Sequence, residues 1–293
     1  MVKKDQLDSC LSKIENYFNN SAVKSFTKNK FSDIFIRNKY DWGLPSNRSA
    51  SQVLNYLVKR EMLLVNNFTN DSNDEKLIYS WKTQDEYTII SGLKSEAYYS
   101  YYSSLFLHHL TLQIPKTVYL NFEHKRSMSA NNNETDLTQE TIDDAFKGSQ
   151  RKSSLSFLFK DKKIILTNGK FTNKLGVIKR QNNNQCFDFT DLERTLIDVA
   201  VRPVYAGGVI EVIEAYNNAK GKLNVKKLVD YLDKLNYIYP YHQVIGFYLE
   251  KSGYNESVLE LFRKEMKFNF YLTYDIRNKE YSEKWKLFYP KGV

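Results

Sequence analysis

Cysteine and long apolar runs are both scarce in this 293-residue sequence. The two cysteines, Cys10 and Cys186, lie too far apart to suggest a disulfide framework or a zinc knuckle. The best apolar run, residues 244–249, is far shorter than the roughly 18 residues that a membrane-spanning helix needs. The segment after Met1 lacks the apolar core of an export signal. These absences favour a protein of the reducing cytoplasm that has no membrane partner.

Common catalytic signatures are missing as well. The sequence contains no GxxxxGKS/T, GxGxxG, HExxH, GxSxG or CxxC motif. His108 and His109 are neighbours on a predicted helix, so their side chains diverge by about 100° and cannot share a metal by helical spacing. We predict that His109 packs in the core, that His108 lies at the surface and that His124 is solvated. The sequence therefore favours a protein that is not an enzyme and binds no cofactor or metal.

Basic residues outnumber acidic ones by 43 to 34, and much of the excess lies in one segment. Residues 21–60 contain only two acidic side chains, Asp33 and Asp41. The same segment contains eight basic side chains: Lys24, Lys28, Lys30, Arg37, Lys39, Arg48, Lys59 and Arg60. A concentrated basic patch is the electrostatic footprint expected of a nucleic-acid-binding protein.

The order of predicted elements indicates two domains and an α+β fold. Three amphipathic helices are predicted near residues 7–20, 27–40 and 46–61, followed by strands at 63–65 and 76–81. This order is typical of a winged helix-turn-helix, which we assign to residues 1–82. Residues 83–293 form a larger mixed domain with a polar excursion at 123–154. Its predicted helices are a stretch from residue 97 that Pro115 ends, 139–146, 192–201, 209–219, 225–235, 241–251 and 257–263. Its predicted strands are 117–122, 155–159, 163–167, 175–180, 185–190, 268–272 and 285–289.

The third helix has two chemically distinct sides. Helical spacing places Ala50, Val53, Leu54, Leu57 and Val58 on one side. It places Arg48, Gln52, Asn55, Tyr56 and Lys59 on the other, without an acidic side chain. Amide side chains read adenine and arginine reads guanine in the major groove, so this side is a candidate DNA reader. An ordinary solvated face is the alternative. The further candidate DNA contacts are Ser46, Asn47, Ser49 and Ser51 near the helix start and the cations Lys28, Lys30, Arg37 and Lys39.

The loop between the two predicted strands is acidic. It contains Asp71, Asp74 and Glu75, which phosphates would repel. We therefore expect the tip of the wing to stay off the DNA backbone, or to touch it only through Asn66, Asn67, Thr69 or Asn70.

Two polar clusters stand out in the larger domain. In the first, Arg194–Asp198 and Asp198–Arg202 are both i,i+4 pairs, which together with Glu193 predict an ion network on a helix surface. The second, residues 239–247, contains His242 among tyrosines, and this histidine either is a hydrogen-bonded core residue or lines a pocket or partner surface. A structural role is favoured for both clusters, because no nucleophile or complementary acid is evident nearby.

These clusters also carry a resemblance to a known family. The chain resembles the AbiEi-type antitoxins in five segments in the same order, over most of residues 95–293. The segments are Glu193-Arg194-Thr195-Leu196-Ile197-Asp198; Arg202-Pro203-Val204-Tyr205-Ala206-Gly207-Gly208-Val209; Tyr239-Pro240-Tyr241-His242-Gln243; Phe268-Asn269-Phe270-Tyr271-Leu272; and Trp285 with Tyr289-Pro290-Lys291-Gly292.

The resemblance implies a bacterial abortive-infection antitoxin of type IV. Such proteins repress their own operon by binding inverted repeats in its promoter. They counteract a nucleotidyltransferase-like toxin through the carboxy-terminal domain, without a stable complex. The resemblance further implies a monomer or weak dimer that assembles cooperatively on DNA. The candidate antitoxin surface consists of Arg194, Asp198, Arg202, Tyr239, Tyr241, His242 and Gln243.

Two alternatives stay open at this point. The larger domain of a winged-helix regulator could sense a ligand or bind a partner directly through residues 239–243. It could also be an enzyme that acts against the toxin's product, in which case His242, Asp198 and Arg194 would meet in one cleft.

Overall fold

A computed structural model describes residues 6–124, 137–182 and 185–293. The chain divides into two compact units. Unit 1 comprises Met1–Tyr98, Leu155–Ile164 and Lys179–Asp188, and unit 2 comprises Tyr99–Ser154, Ile165–Ile178 and Phe189–Val293. From the sequence we expected two domains with a boundary near residue 83. In the structure, unit 1 extends to Tyr98 and also takes in two later segments. The tri-asparagine low point of the polar excursion, residues 131–133, lies outside the described residues.

Helices and strands both contribute to the described fold, which is mixed α+β. The helices are α1 (Leu11–Asn20), α2 (Lys28–Asn38), α3 (Ala50–Lys59), α4 (Glu86–Ser91), α5 (Tyr101–Leu107), α6 (Gln139–Lys147), α7 (Leu192–Val201), α8 (Val209–Asn218), α9 (Val225–Leu235), α10 (Tyr241–Lys251) and α11 (Glu256–Leu259). The strands are β1 (Ser25–Phe26), β2 (Leu63–Asn70), β3 (Glu75–Trp81), β4 (Tyr98–Tyr99), β5 (Thr117–Glu123), β6 (Ser156–Phe159), β7 (Lys162–Gly169), β8 (Val177–Gln181), β9 (Cys186–Thr190), β10 (Phe270–Tyr271), β11 (Lys279–Ser282) and β12 (Leu287–Pro290).

Unit 1 packs α1, α2 and α3 on an aromatic core. Phe18, Phe31 and Leu57 are fully buried in it, and the Phe18 ring stacks on Trp81 with centroids 4.8 Å apart. Strand β1 pairs antiparallel with β3, and β3 pairs antiparallel with β2. Strands β1, β3 and β2 thus lie side by side against the three-helix core.

Strand β2 is longer than its sequence predicts. The polar residues after Val65 suggested a loop, yet pairing with β3 continues as far as Thr69↔Glu75. On its other edge, β2 pairs with β6 at Thr69↔Leu158 and Asn70↔Phe157. The Asn66 amide also donates to the Ile78 carbonyl at 3.2 Å. Ladder hydrogen bonds on both edges therefore outweigh the low strand propensity of asparagine.

Unit 2 gathers helices α7, α8 and α10 around a large core. Leu196, Tyr216 and Val244 are fully buried in it, and the Tyr216 hydroxyl donates to the Leu196 carbonyl at 3.1 Å. Strands β7, β5, β4 and β9 are neighbours in that order, and β10, β12 and β11 form a separate three-stranded sheet.

The start of unit 2 corrects one helix prediction. Residues 97–106 were expected to be continuously helical, but Tyr98–Tyr99 forms β4 and the helix begins only at Tyr101. Tyr99 pairs in parallel with Phe189, and Tyr101 adopts a left-handed φ of 53°. Long-range strand pairing thus overrides the local helical periodicity.

Candidate functional site

The sequence-based division of α3 into two faces agrees with its burial. Val53, Leu54 and Leu57 are buried, whereas the polar residues on the opposite side reach solvent. Ser51, Gln52, Asn55 and Lys59 are exposed, and Arg48, just before the helix, is half-buried. We refer to these five residues as the α3 face. It combines two cations, two amides and a hydroxyl.

A capping box fixes the start of α3. The Ser49 hydroxyl accepts a hydrogen bond from the Gln52 backbone N–H at 3.3 Å, and the Gln52 Oε1 accepts one from the Ser49 N–H at 3.0 Å. The predicted role of Gln52 as an adenine reader therefore competes with its role in the cap, because a bidentate contact with adenine needs the same oxygen. Asn55 is the exposed amide that has no part in this cap.

Two of the predicted DNA contacts have internal partners that the sequence did not reveal. The Lys39 Nζ donates to the carbonyls of Ser46 at 2.8 Å and Arg48 at 3.1 Å, which tethers the segment before α3. The Tyr56 hydroxyl donates to the Asp8 carboxylate, which also pairs with Arg60. Both side chains therefore stabilise the packing of α3.

The remaining predicted contacts lie on α2 and in the segment between α2 and α3. On α2, Lys28 and Arg37 are exposed and Lys30 is half-buried. Ser46 and Asn47, in the segment between α2 and α3, are exposed. This placement leaves the predicted cations and hydroxyls within one helical hairpin of unit 1.

The turn between β2 and β3 is held by its own side chains. The Asn70 Oδ1 accepts hydrogen bonds from the backbone N–H groups of Ser72 at 2.9 Å and Asp74 at 2.7 Å. The Asp71 carboxylate accepts one from the Ser156 hydroxyl at 2.6 Å. These contacts order an acidic turn, in which the Asp71 carboxylate is held from another strand. That this tip avoids phosphates stays a prediction.

A cavity of about 550 Å³ lies within unit 2. Six tyrosines line it: Tyr101, Tyr205, Tyr237, Tyr239, Tyr241 and Tyr274. Five cationic side chains also line it: Arg151, Lys152, Lys170, Arg194 and Arg202. Among the described lining residues, Asp198 is the one acidic side chain. The cavity thus combines aromatic walls with a strong excess of positive charge.

Arg194 and Asp198 form a buried ion pair beside this cavity. The Arg194 Nε donates to the Asp198 carboxylate at 2.8 Å, and both side chains are less than a tenth exposed. The guanidinium also donates to the Leu175 carbonyl at 2.8 Å. Burial raises the pKa of Asp198, and the adjacent Arg194 acts in the opposite direction. The predicted i,i+4 pair is present, but it is a buried structural pair rather than a surface one.

The rest of the predicted ion network is arranged differently. Among the described residues, Asp198 makes no ion pair with Arg202; the Arg202 guanidinium donates to the Arg151 carbonyl at 3.4 Å and lies 5.8 Å from the Tyr205 ring centroid. Glu193 is buried and pairs with Lys227 on α9 at 2.8 Å. The sequence could not indicate Lys227, because this contact depends on the packing of α9 against α7.

His242 and Gln243 do not share the environment of Tyr239 and Tyr241. Neither residue lines the cavity. Gln243 is fully buried, and its amide nitrogen donates to the backbone carbonyls of Phe268 at 3.1 Å and Trp285 at 2.7 Å. His242 is half-buried, and burial lowers its pKa. His242 therefore does not join Arg194 and Asp198 in this cavity, contrary to the enzyme alternative.

The predictions for two other histidines, His108 at the surface and His109 in the core, are both wrong. His108 is half-buried, with its Nε2 2.8 Å from the Thr190 carbonyl, whereas His109 is exposed. The reason is that α5 ends at Leu107, His108 is its C-cap residue, and His109 follows with a left-handed φ of 57°. Helical geometry therefore no longer sets the direction of its side chain.

In the part of the chain that the structure describes, no group of three or more His, Cys, Asp or Glu side chains is arranged to hold a metal ion. Within the same residues, no helix has the length and apolarity needed to span a bilayer.

Comparison with known proteins yields a likeness of fold. No protein-family model and no curated protein matches the sequence. The crystal structure of the RV2827C protein from Mycobacterium tuberculosis is similar, with a TM-score of 0.52. The two chains are 9% identical, and the match covers 96% of this chain and 91% of that chain. At this level of identity the likeness concerns the fold alone, and it supports a mixed α+β architecture for the chain.

Proposed function

We propose that this protein is a cytoplasmic DNA-binding antitoxin and transcriptional autorepressor of the AbiEi type. The observation that carries the proposal is the α3 face, which is polar and free of acidic side chains and of which four of the five residues are exposed. In this proposal, helices α1 to α3 and strands β1 to β3 act as a winged helix-turn-helix, whose last helix enters the major groove. The basic segment around it supplies the attraction to phosphates.

The first test is binding of the full-length protein to the promoter DNA upstream of its own gene. We expect sequence-specific binding to an inverted repeat. Its affinity should fall as salt rises, with a log–log slope of about −0.9 for each neutralised phosphate. Equal affinity for a scrambled duplex of the same length would leave only non-specific binding and would contradict the repressor proposal.

Substitutions on the α3 face provide the sharper test. We expect Asn55→Ala to weaken operator binding by about 5- to 150-fold, the effect of one lost base contact. Lys59→Ala should reduce the salt slope by about one if it neutralises a phosphate. Fluorescence anisotropy with labelled operator DNA measures both effects. Asn55 is preferred to Gln52 because replacing Gln52 would also remove the capping box and so destabilise α3 by about 0.5–2 kcal/mol.

The matched control is Lys226→Ala, which removes one exposed lysine from a helix of unit 2. Its operator affinity and salt slope should equal those of the wild type. Operator binding that is unaltered in Asn55→Ala/Lys59→Ala would refute the assignment of the α3 face.

Antitoxin activity is tested separately by co-expression with a nucleotidyltransferase-like toxin encoded beside the gene. We expect the full-length protein to restore growth, while a tagged toxin purified from the same cells carries no stoichiometric amount of it. Co-purification as a stable complex would favour direct neutralisation instead.

A winged-helix regulator that senses a small ligand is the second candidate function. The specific observation in its favour is the cationic, tyrosine-lined cavity of unit 2.

A further inference from the structure

We propose that the cavity of unit 2 binds a free nucleotide, with its phosphates among the cationic side chains and its base against the tyrosines. This goes beyond the antitoxin and autorepressor proposal, which assigns DNA recognition to unit 1, and it names the ligand class that the second candidate function leaves open. The volume of about 550 Å³ falls within the range of sites that enclose small molecules.

The charge of the cavity calls for an anion. Arg194 already neutralises Asp198 through the buried ion pair, so this arginine needs no external partner. Among the described residues, no carboxylate pairs with Arg151, Lys152 or Arg202. Several unneutralised cations around one cavity repel each other unless an anion lies between them. A phosphate group supplies several acceptor oxygens for them, and the arginines can bind it in a bidentate manner.

Arg202 brings positive charge close to the tyrosine rings that line the cavity. Its guanidinium lies 5.8 Å from the Tyr205 ring centroid, and its charge also acts on Tyr241 and Tyr274. An anion bound by Arg202 therefore has aromatic rings beside it. A planar base attached to the phosphate can stack on such rings, and stacking tolerates different bases.

The tyrosine hydroxyls make part of the cavity lining polar but uncharged. Burial raises the pKa of Tyr237 and of Tyr241 well above the ordinary value. Both phenols therefore stay protonated at neutral pH and present hydrogen-bond donors rather than charges that would repel phosphate.

The ligand class follows from the combination of positive charge and aromatic rings around one cavity. A polymeric strand is bound along an extended groove, in which bases stack one after another. Here the cations and tyrosines line one cavity, which suits a single nucleotide.

Isothermal titration calorimetry with the full-length protein tests the proposal. The probes are ATP, GTP, CTP and UTP, each compared with its nucleoside and with inorganic tripolyphosphate. We expect at least one nucleotide to bind with a Kd in the micromolar range, and both partial ligands to bind at least about tenfold more weakly. Binding should show one site per chain.

Three variants locate the site. Arg151→Ala/Lys152→Ala changes two exposed residues outside helices and strands, and it should weaken the best nucleotide by about tenfold or more. Arg202→Gln should do the same. Tyr239→Ala should weaken it by about 5- to 100-fold through lost stacking. Lys226→Ala is the control for charge, and the thermal midpoint of each variant verifies that it folds.

The proposal is overturned if none of the four nucleotides binds more tightly than about 1 mM. It is also overturned if tripolyphosphate binds as well as the best nucleotide, which would indicate an anion site without base recognition. Single-stranded RNA that displaces the nucleotides, binds more tightly than any of them and is weakened by the same three variants would also contradict it, because the cavity would then be part of a site for a polymeric strand. Operator affinity measured on the same variants keeps the two proposals separate, because loss of nucleotide binding with normal operator binding leaves the repressor function intact.

Discussion

Replacing Arg194 with methionine is expected to lower the free energy of unfolding by about 3–5 kcal/mol. The substitution leaves the Asp198 carboxylate buried without its guanidinium partner, and burial of an unpaired charge is far more costly than the pair itself. It also removes the donor to the Leu175 carbonyl. Urea denaturation followed by circular dichroism measures the change.

The double variant Arg194→Met/Asp198→Leu is the control for this prediction. Since it removes both charges and keeps much of the volume, its stability should lie close to that of the wild type or above it. A loss in the double variant as large as that in Arg194→Met would show that packing, not charge, explains the effect.

The loss of stability in Arg194→Met should change with pH in a defined direction. Burial raises the pKa of Asp198 in the folded state, and loss of Arg194 raises it further. The cost of burying the carboxylate is therefore fully present above the folded-state pKa and disappears as pH falls towards the unfolded value. The deficit of Arg194→Met relative to wild type should shrink as pH is lowered from about 8 to about 5.

Gly246→Ala is expected to destabilise the protein by about 3 kcal/mol, the upper end of ordinary overpacking. A Cβ at Gly246 would lie 2.1 Å from Cζ3 of Trp285, whereas carbon atoms pack at about 3.5–4.0 Å. Trp285 is fully buried and its indole N–H donates to Glu250 at 2.6 Å, so the ring cannot move away easily. Crowding therefore outweighs the gain of up to about 1 kcal/mol that alanine normally brings to a helix.

Gly148→Ala is the matched control, because a Cβ there meets no atom within 4 Å. Its free energy of unfolding should stay within about 0.5 kcal/mol of the wild type. Thermal or urea unfolding of both variants measures the difference. A Gly246→Ala protein as stable as the wild type would mean that the α10–Trp285 contact is looser than the structure indicates.

The α3 face illustrates what a local pattern can predict. The apolar spacing of Val53, Leu54 and Leu57 determines which side of the helix is buried, and the polar residues opposite follow from geometry alone. The hydrogen-bond partners of Tyr56 and Lys39 could not be predicted from this pattern. Tyr56 meets Asp8 from a distant part of the chain, and no periodicity encodes such a contact.

The cavity illustrates the opposite case. The sequence singled out Arg194, Asp198, Arg202, Tyr239 and Tyr241, and it predicted the i,i+4 pair, because both members lie on one helix. It could not predict that Asn121 and Thr167, from two strands, or Arg151 and Lys152 would line the same space. It also could not separate His242 and Gln243 from Tyr241, their neighbour in sequence.

Local patterns in the chain were enough to predict the helix faces, the α+β class, the basic segment around α3 and the Arg194–Asp198 pair. Each of these depends on residues within a turn or two of one another or on composition. Long-range packing was needed to show that β2 gains β6 as a neighbour, that the buried Gln243 amide donates to backbone carbonyls and that tyrosines and cations line one cavity. These features join residues far apart in the chain, and their energies come from desolvation and packing that no short segment contains.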